Sequence, residues 1–163
     1  MAKRPQILVV DDDPATREVT RETLEMFGFD AASAGALEAS DVLMALPVDC
    51  LVVATSLVGG PVESLVRRVR EQDSRVGIVV VADGCQKDIE AATNGLDVWA
   101  VVLKPVEVRL LAEKIRTACE YAQMPQATKT KLAANIEAEV AHFQRVKRES
   151  RSIEVKRGGE ARR

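Results

Sequence analysis

Five short apolar runs, each followed by a segment of helical spacing, constrain this chain more than anything else in it. The first, residues 6–10, reads QILVV and stops abruptly at Asp11, Asp12 and Asp13. A buried parallel strand ends that way when its carboxyl end meets polar chemistry. Pro14 then opens a helix on which Val19, Leu24 and Phe27 form an apolar stripe, and Gly28 stands where a C-terminal cap belongs. The pattern predicts further strands at 29–34, 50–53, 76–82 and 98–103, rich in branched residues. Between them lie helical segments at 36–46, around Val62, Leu65, Val66 and Val69, and briefly at 87–93. A last helix at 106–122 should turn Leu110, Leu111, Ile115 and Ala118 inward. Gly59, Gly60 and Pro61 mark a turn, and Asp83 with Gly84 breaks the fourth strand. Such alternation means βαβ units whose right-handed crossovers cover both faces of one parallel sheet. Ligands of these sheets sit outside the carboxyl ends of the strands. Here those ends carry residues 11–13, 54–56, 81–83, and Lys104 with Pro105.

Four features at those ends and beside them carry a resemblance: ILVVDDDP at 7–14, the A-x-x-x-E-A run at 34–39, Gly59 after the third strand, and Lys104-Pro105. Over residues 5–123 the chain resembles the CheY-like receiver domain of bacterial response regulators. The fold this implies is α/β, a flavodoxin-like (βα)5 doubly wound sheet of five parallel strands, here with an added C-terminal helix. In receivers an aspartate closing the third strand takes a phosphoryl group from a donor. The first-strand acids hold the Mg²⁺ that neutralises it, and a lysine after the fifth strand pairs with it. By that resemblance Asp11 and Asp12 match the acidic pair, with Asp12 the direct ligand, and Lys104 matches the lysine.

The acceptor is missing. Counted from the D-x-x-x-x-D spacing that begins at Asp49, it falls on Ala54, whose methyl group cannot form an acyl phosphate. Thr55 should point to the opposite face, since strand side chains alternate, and Ser56 falls where the family offers a backbone carbonyl to the metal. Asp49, five residues earlier, is about 16 Å away along a strand. The Ser or Thr expected at the end of the fourth strand aligns with Val81, and the aromatic before the lysine with Val101. Trp99, two residues before Val101 and expected on the same face, reads as a packing residue. Without the central carboxylate Mg²⁺ should bind weakly at best, and no other cofactor is expected. Lys104 should then pair with Asp12 or Asp11.

The segment 124–129, with Pro125, reads as a linker. A helix is expected over 130–150, where Leu132, Ile136, Val140, Phe143 and Val146 recur every three or four residues as a narrow apolar stripe. That stripe needs a partner: the receiver, a second copy of the chain, or another signalling protein. Glu139 interrupts a strict heptad, which favours docking or dimer packing over a long coiled coil. His142, the sole histidine, has no ligand cluster beside it and reads as a surface residue.

Charge is uneven. Residues 1–143 hold 15 Lys and Arg against 22 Asp and Glu, whereas 144–163 hold 8 against 3, so the sign reverses at the end. The stretch 151–163 has no period and is expected to be a disordered basic tail. No helix-turn-helix fits into the last forty residues. Cys50, Cys85 and Cys119 lack C-x-x-C spacing, which argues against zinc or a disulfide framework. No run approaches a membrane span or a secretory segment, so the expected address is the cytoplasm. The reading is an atypical, non-enzymatic receiver acting in two-component signalling by phosphorylation-independent protein contact. Its rivals are a phosphoacceptor using a noncanonical residue and a nucleic-acid binder working through the basic tail.

Overall fold

A computed structural model of the chain describes residues 3–57, 62–73, 75–83 and 98–160. The expected turn at 59–61, the short helix at 87–93, and Gly84, Cys85 and Gly95 lie outside the described residues. So do the side chains at 136, 140, 143 and 150–160. The chain divides into two compact units, Met1–Gln123 and Met124–Arg163.

In the first unit, β1 (Gln6–Val10), β2 (Asp30–Ala34), β3 (Cys50–Ala54), β4 (Gly77–Ala82) and β5 (Ala100–Leu103) form one sheet in the order β2-β1-β3-β4-β5. Every neighbouring pair is parallel. This is the flavodoxin-like order, in which the chain starts at an inner strand, steps to one edge and returns past its start. Burial follows position. Every residue of β3 and β4 is buried, whereas the edge strands β2 and β5 each keep an exposed end. That explains why 50–54 and 77–82 read as unbroken apolar runs and 30–34 as DAASA.

Helices α1 (Pro14–Met26), α2 (Ala39–Ala45), α3 (Val62–Gln72) and α4 (Val108–Gln123) complete this unit among the described residues. The strand pleat divides the core. Ile7, Val9, Cys50, Val52, Val79 and Val81 meet Leu24 of α1 and Leu111, Ile115 and Ala118 of α4. On the other face Leu8, Val10, Leu51, Val53, Ile78 and Val80 meet Ala39 of α2 and Leu65, Val66 and Val69 of α3. Asp13 caps α1 by accepting from Thr16 N at 3.1 Å, Pro14 opens it, and Gly28 closes the turn at φ +92°, a conformation that favours glycine.

Two expected core positions are corrected. Val19 is 63% exposed and Leu110 39% exposed. Each sits at the border of its helix's apolar face, while Leu24 and Leu111 occupy the centre. The second unit also departs from expectation. The linker shrinks to Met124 and Pro125, and α5 runs without a break over Gln126–Glu160, 35 residues rather than the expected 130–150. It carries helical backbone through 151–160, where disorder was expected. Pro125 starts this helix, its carbonyl accepting from the amides of Thr128 and Lys129. Among the described residues no helix is long and apolar enough to cross a membrane.

Candidate functional site

Register alone assembles the candidate site. Val10 lies beside Val53, Ala54 beside Val81, and Ala82 beside Leu103. The residues that follow those strands therefore share the carboxyl edge of the sheet: Asp11 and Asp12, Thr55, Asp83, and Lys104. Asp11 is the buried acid, 7% exposed. Its Oδ1 accepts from Asp13 N at 2.9 Å, and its carbonyl oxygen accepts from Arg17 Nη1 at 3.1 Å. Asp12 Oδ1 accepts from Ala36 N at 2.8 Å, which ties the first-strand loop to the loop after β2. Gly35 lies against this tie, its Cβ position 3.5 Å from both Arg17 Nη1 and Asp12 Oδ1, an ordinary contact distance.

At the end of β3 the Ala54 methyl is 3% exposed, next in register to Val81 at 7%. Two aliphatic side chains thus stand side by side at the centre of the edge. Thr55 N donates to Val81 O at 2.9 Å, and Thr55 Oγ1 accepts from Asp83 N at 3.4 Å. Ser56 is exposed. Asp13 titrates below the ordinary carboxylate range, chiefly because the Thr16 hydroxyl and then the Thr16 amide donate to its ionised form.

Lys104 corrects the expected ion pair: its Nζ lies 3.2 Å from Asp83 Oδ1, and the partner is neither Asp11 nor Asp12. The reason is register. Ala82 and Leu103 are neighbours, so the next residues, Asp83 and Lys104, emerge side by side, with Lys104 N donating to Ala82 O at 2.9 Å. Asp11 and Asp12 each already accept a backbone amide. The Lys104–Pro105 peptide is cis. A groove of about 440 Å³ lies between α1 and the segment after β5, lined by Thr16, Val19, Thr20, Lys104, Pro105 and Val106 among others. Val19 is exposed because it lines this groove.

The expected common face of Trp99 and Val101 is also corrected. Val101 packs with the α2 and α3 layer, whereas Trp99 packs with the α1 and α4 layer. Trp99 precedes β5 at a bend, where strict alternation does not yet apply. Its indole donates to Thr117 Oγ1 at 2.9 Å and stacks on Tyr121 with centroids 4.5 Å apart, so it packs on α4. Sequence reasoning missed two members of the edge. In the sequence Asp83 reads only as a strand breaker, although an acid one residue past β4 faces the lysine one residue past β5. Arg17, one turn after the Asp13 cap, gave a positional signal that spacing alone could have supplied.

With this geometry in hand the comparisons with known proteins are decisive for the family. The chain belongs to the response regulator receiver domain family, whose sequence model matches residues 7–116. It is 31% identical over 136 residues to the transcriptional regulatory protein AruR of Pseudomonas aeruginosa, an alignment covering 78% of this chain and 54% of that protein. The chain therefore spans only about half of that relative's length. Among solved structures it is similar to a sensor protein from Polaromonas sp. JS666, with TM-score 0.68 and 27% identity, covering 74% of this chain and 99% of that one. It is also similar to a response regulator receiver protein from Pseudomonas putida, with TM-score 0.65 and 28% identity, covering 72% and 99%. The chain carries a receiver domain of the two-component response-regulator type.

Proposed function

We propose that this receiver signals by protein contact and takes no phosphoryl group. The observation that carries the reading is the buried Ala54 methyl beside Val81 at the centre of the strand edge. A receiver aspartate there would be the nucleophile, and a hydroxyl at the Val81 position would donate to the transferred group. Neither side chain present does either task. The Asp11 and Asp12 donor set fits Mg²⁺ poorly: each acid has one oxygen engaged by a backbone amide, and position 54 contributes no anion. Mg²⁺ binding is therefore weak at best, and no step runs through it. Lys104, paired with Asp83, serves the fold of the edge and not a phosphate.

The contact surface is assigned to the stripe Leu132, Ile136, Val140, Phe143 and Val146 on α5, with a signalling protein or a second copy of the chain as partner. The reading makes the protein a cytoplasmic adaptor or competitor with no catalytic step of its own.

The test is incubation of the full chain with acetyl phosphate and Mg²⁺, followed by intact-mass measurement with and without hydroxylamine. No hydroxylamine-labile phosphoryl adduct should form. An adduct would establish the rival phosphoacceptor reading. Ala54→Asp should label slowly, and adding Val81→Thr should speed labelling on the order of 100-fold, the usual worth of one preorganised donor.

A further inference from the structure

The end of the sheet opposite the candidate site holds two of the three cysteines close together. Cys50 opens β3 and is fully buried, while Cys119 lies on α4 with 9% of its surface exposed. Close packing joins them. Gly77 is the register partner of Cys50, and Ala118 rides directly on it: a Cβ at Gly77 would come within 2.9 Å of Ala118 Cβ and 3.0 Å of its backbone. With α4 pressed that tightly onto β4, the next residue, Cys119, stands in the same buried core layer as Cys50. The hydrogen bond that Cys50 Sγ makes, to Leu51 O, is long at 3.8 Å, so this thiol is weakly held. Cys119 also lines a cleft of about 490 Å³ with Lys3, Arg4, Pro5, Asp49, Glu120 and Gln123, so one thiol of the pair meets solvent and the other does not.

From this arrangement we infer that Cys119 and Cys50 form a peroxide-oxidisable dithiol, with Cys119 the attacking sulfur and Cys50 the resolving one. The asymmetry supports the division of roles. Cys119 lines the cleft and is the thiol that peroxide can reach, and its neighbour Cys50 holds it below its ordinary range, against burial and the nearby Asp49 and Glu120 charges. The Cys119 neighbour and full burial push Cys50 up, so the proton stays there until Cys119 has reacted. In the first step the Cys119 thiolate attacks one oxygen of hydrogen peroxide. An S–O bond forms, the O–O bond breaks, and the departing hydroxide takes a proton to become water. In the second step Cys50 gives up its proton as its sulfur attacks the Cys119 sulfenic acid. The S–S bond forms, the S–O bond breaks, and the second oxygen leaves as water. Two thiols lose two electrons and the peroxide gains them.

The experiment treats the reduced full chain with stoichiometric hydrogen peroxide, quenches with iodoacetamide and maps peptides by mass spectrometry without reductant. A Cys50–Cys119 crosslinked pair should dominate, lost on adding dithiothreitol and retained in Cys85→Ser. Cys50→Ser should instead accumulate Cys119 sulfenic acid, trapped by dimedone. Because a serine in the core can unfold the chain, the wild-type map decides first. Wild-type thiols that stay reduced, or a crosslink that uses Cys85 in place of either partner, would overturn the assignment. So would dimedone capture at Cys50 in place of Cys119.

Discussion

The Ala54 methyl matters through what surrounds it: with Val81 beside it, the edge of the sheet is apolar where receiver chemistry is anionic. The charges that remain are arranged locally, as the Lys104–Asp83 pair shows. Its side chains are 30% and 55% exposed, so water screens the attraction. Lys104→Met should change unfolding free energy by less than about 1 kcal/mol, measured by urea titration. A loss several times larger would mean the lysine holds more of the edge than its partner suggests. Asp13 offers a pH test. Its folded pKa is lowered by the Thr16 hydroxyl and amide, so the unfolded chain binds the proton more readily. The cap therefore contributes fully above the unfolded value, about pH 4, and its contribution is lost as pH falls through the lower folded value. Asp13→Ala should be destabilised relative to wild type at pH 7, and the gap between the two urea midpoints should shrink toward pH 3. A gap independent of pH would show that the ionised carboxylate is not what caps α1.

At the scale of elements, legibility tracked burial. The strands β3 and β4 announce themselves because nothing polar interrupts CLVVA or GIVVVA, and α1 because Asp13, Pro14 and Gly28 punctuate it. The edge strand DAASA has little apolar content, and its existence follows from alternation with its neighbours more than from its own residues. What periodicity could not supply was the exact angle of each helix on the sheet. Val19 and Leu110 satisfy an apolar spacing yet fall at the rim, since a stripe a turn wide fits more residues than the contact line buries. Likewise the Lys104 partner depends on register between β4 and β5, which no local pattern encodes. The difference is measurable. Leu24→Ala and Ile115→Ala, both fully buried, should each cost about 2–5 kcal/mol. Val19→Ala should stay within about 0.5 kcal/mol, in keeping with a surface position. Comparable losses at Val19 would place it in the core after all. Gly77 is a tight joint between β4 and α4, and Gly77→Val should destabilise by about 1–3 kcal/mol because Ala118 of α4 stands where the side chain must go.

The whole molecule is two units of different character, and its proposed function depends on the second. The first, Met1–Gln123, carries the sheet and both core layers, so a chain ending at residue 123 should fold and unfold cooperatively by itself. The second is a single helix of 35 residues, about 50 Å long, with a narrow apolar stripe and a basic end. A lone helix has no core, and its propensity offsets little of what exposed apolar side chains forgo, about 1.5–3 kcal/mol for each one fully buried. The stripe therefore predicts association. Replacing Ile136 and Phe143 together with Asp removes two large apolar side chains and adds two charges to the same line. With each tenfold in affinity worth about 1.4 kcal/mol, the loss should exceed about 100-fold in the dissociation constant for a second copy or a captured partner. Sedimentation velocity across a concentration series reads the first case, and pull-down with purified candidate signalling proteins reads the second. The 1–123 chain should behave like the double mutant in both. Should the double mutant keep the wild-type oligomeric state and every partner, α5 is only a tether and the contact surface must lie on the receiver.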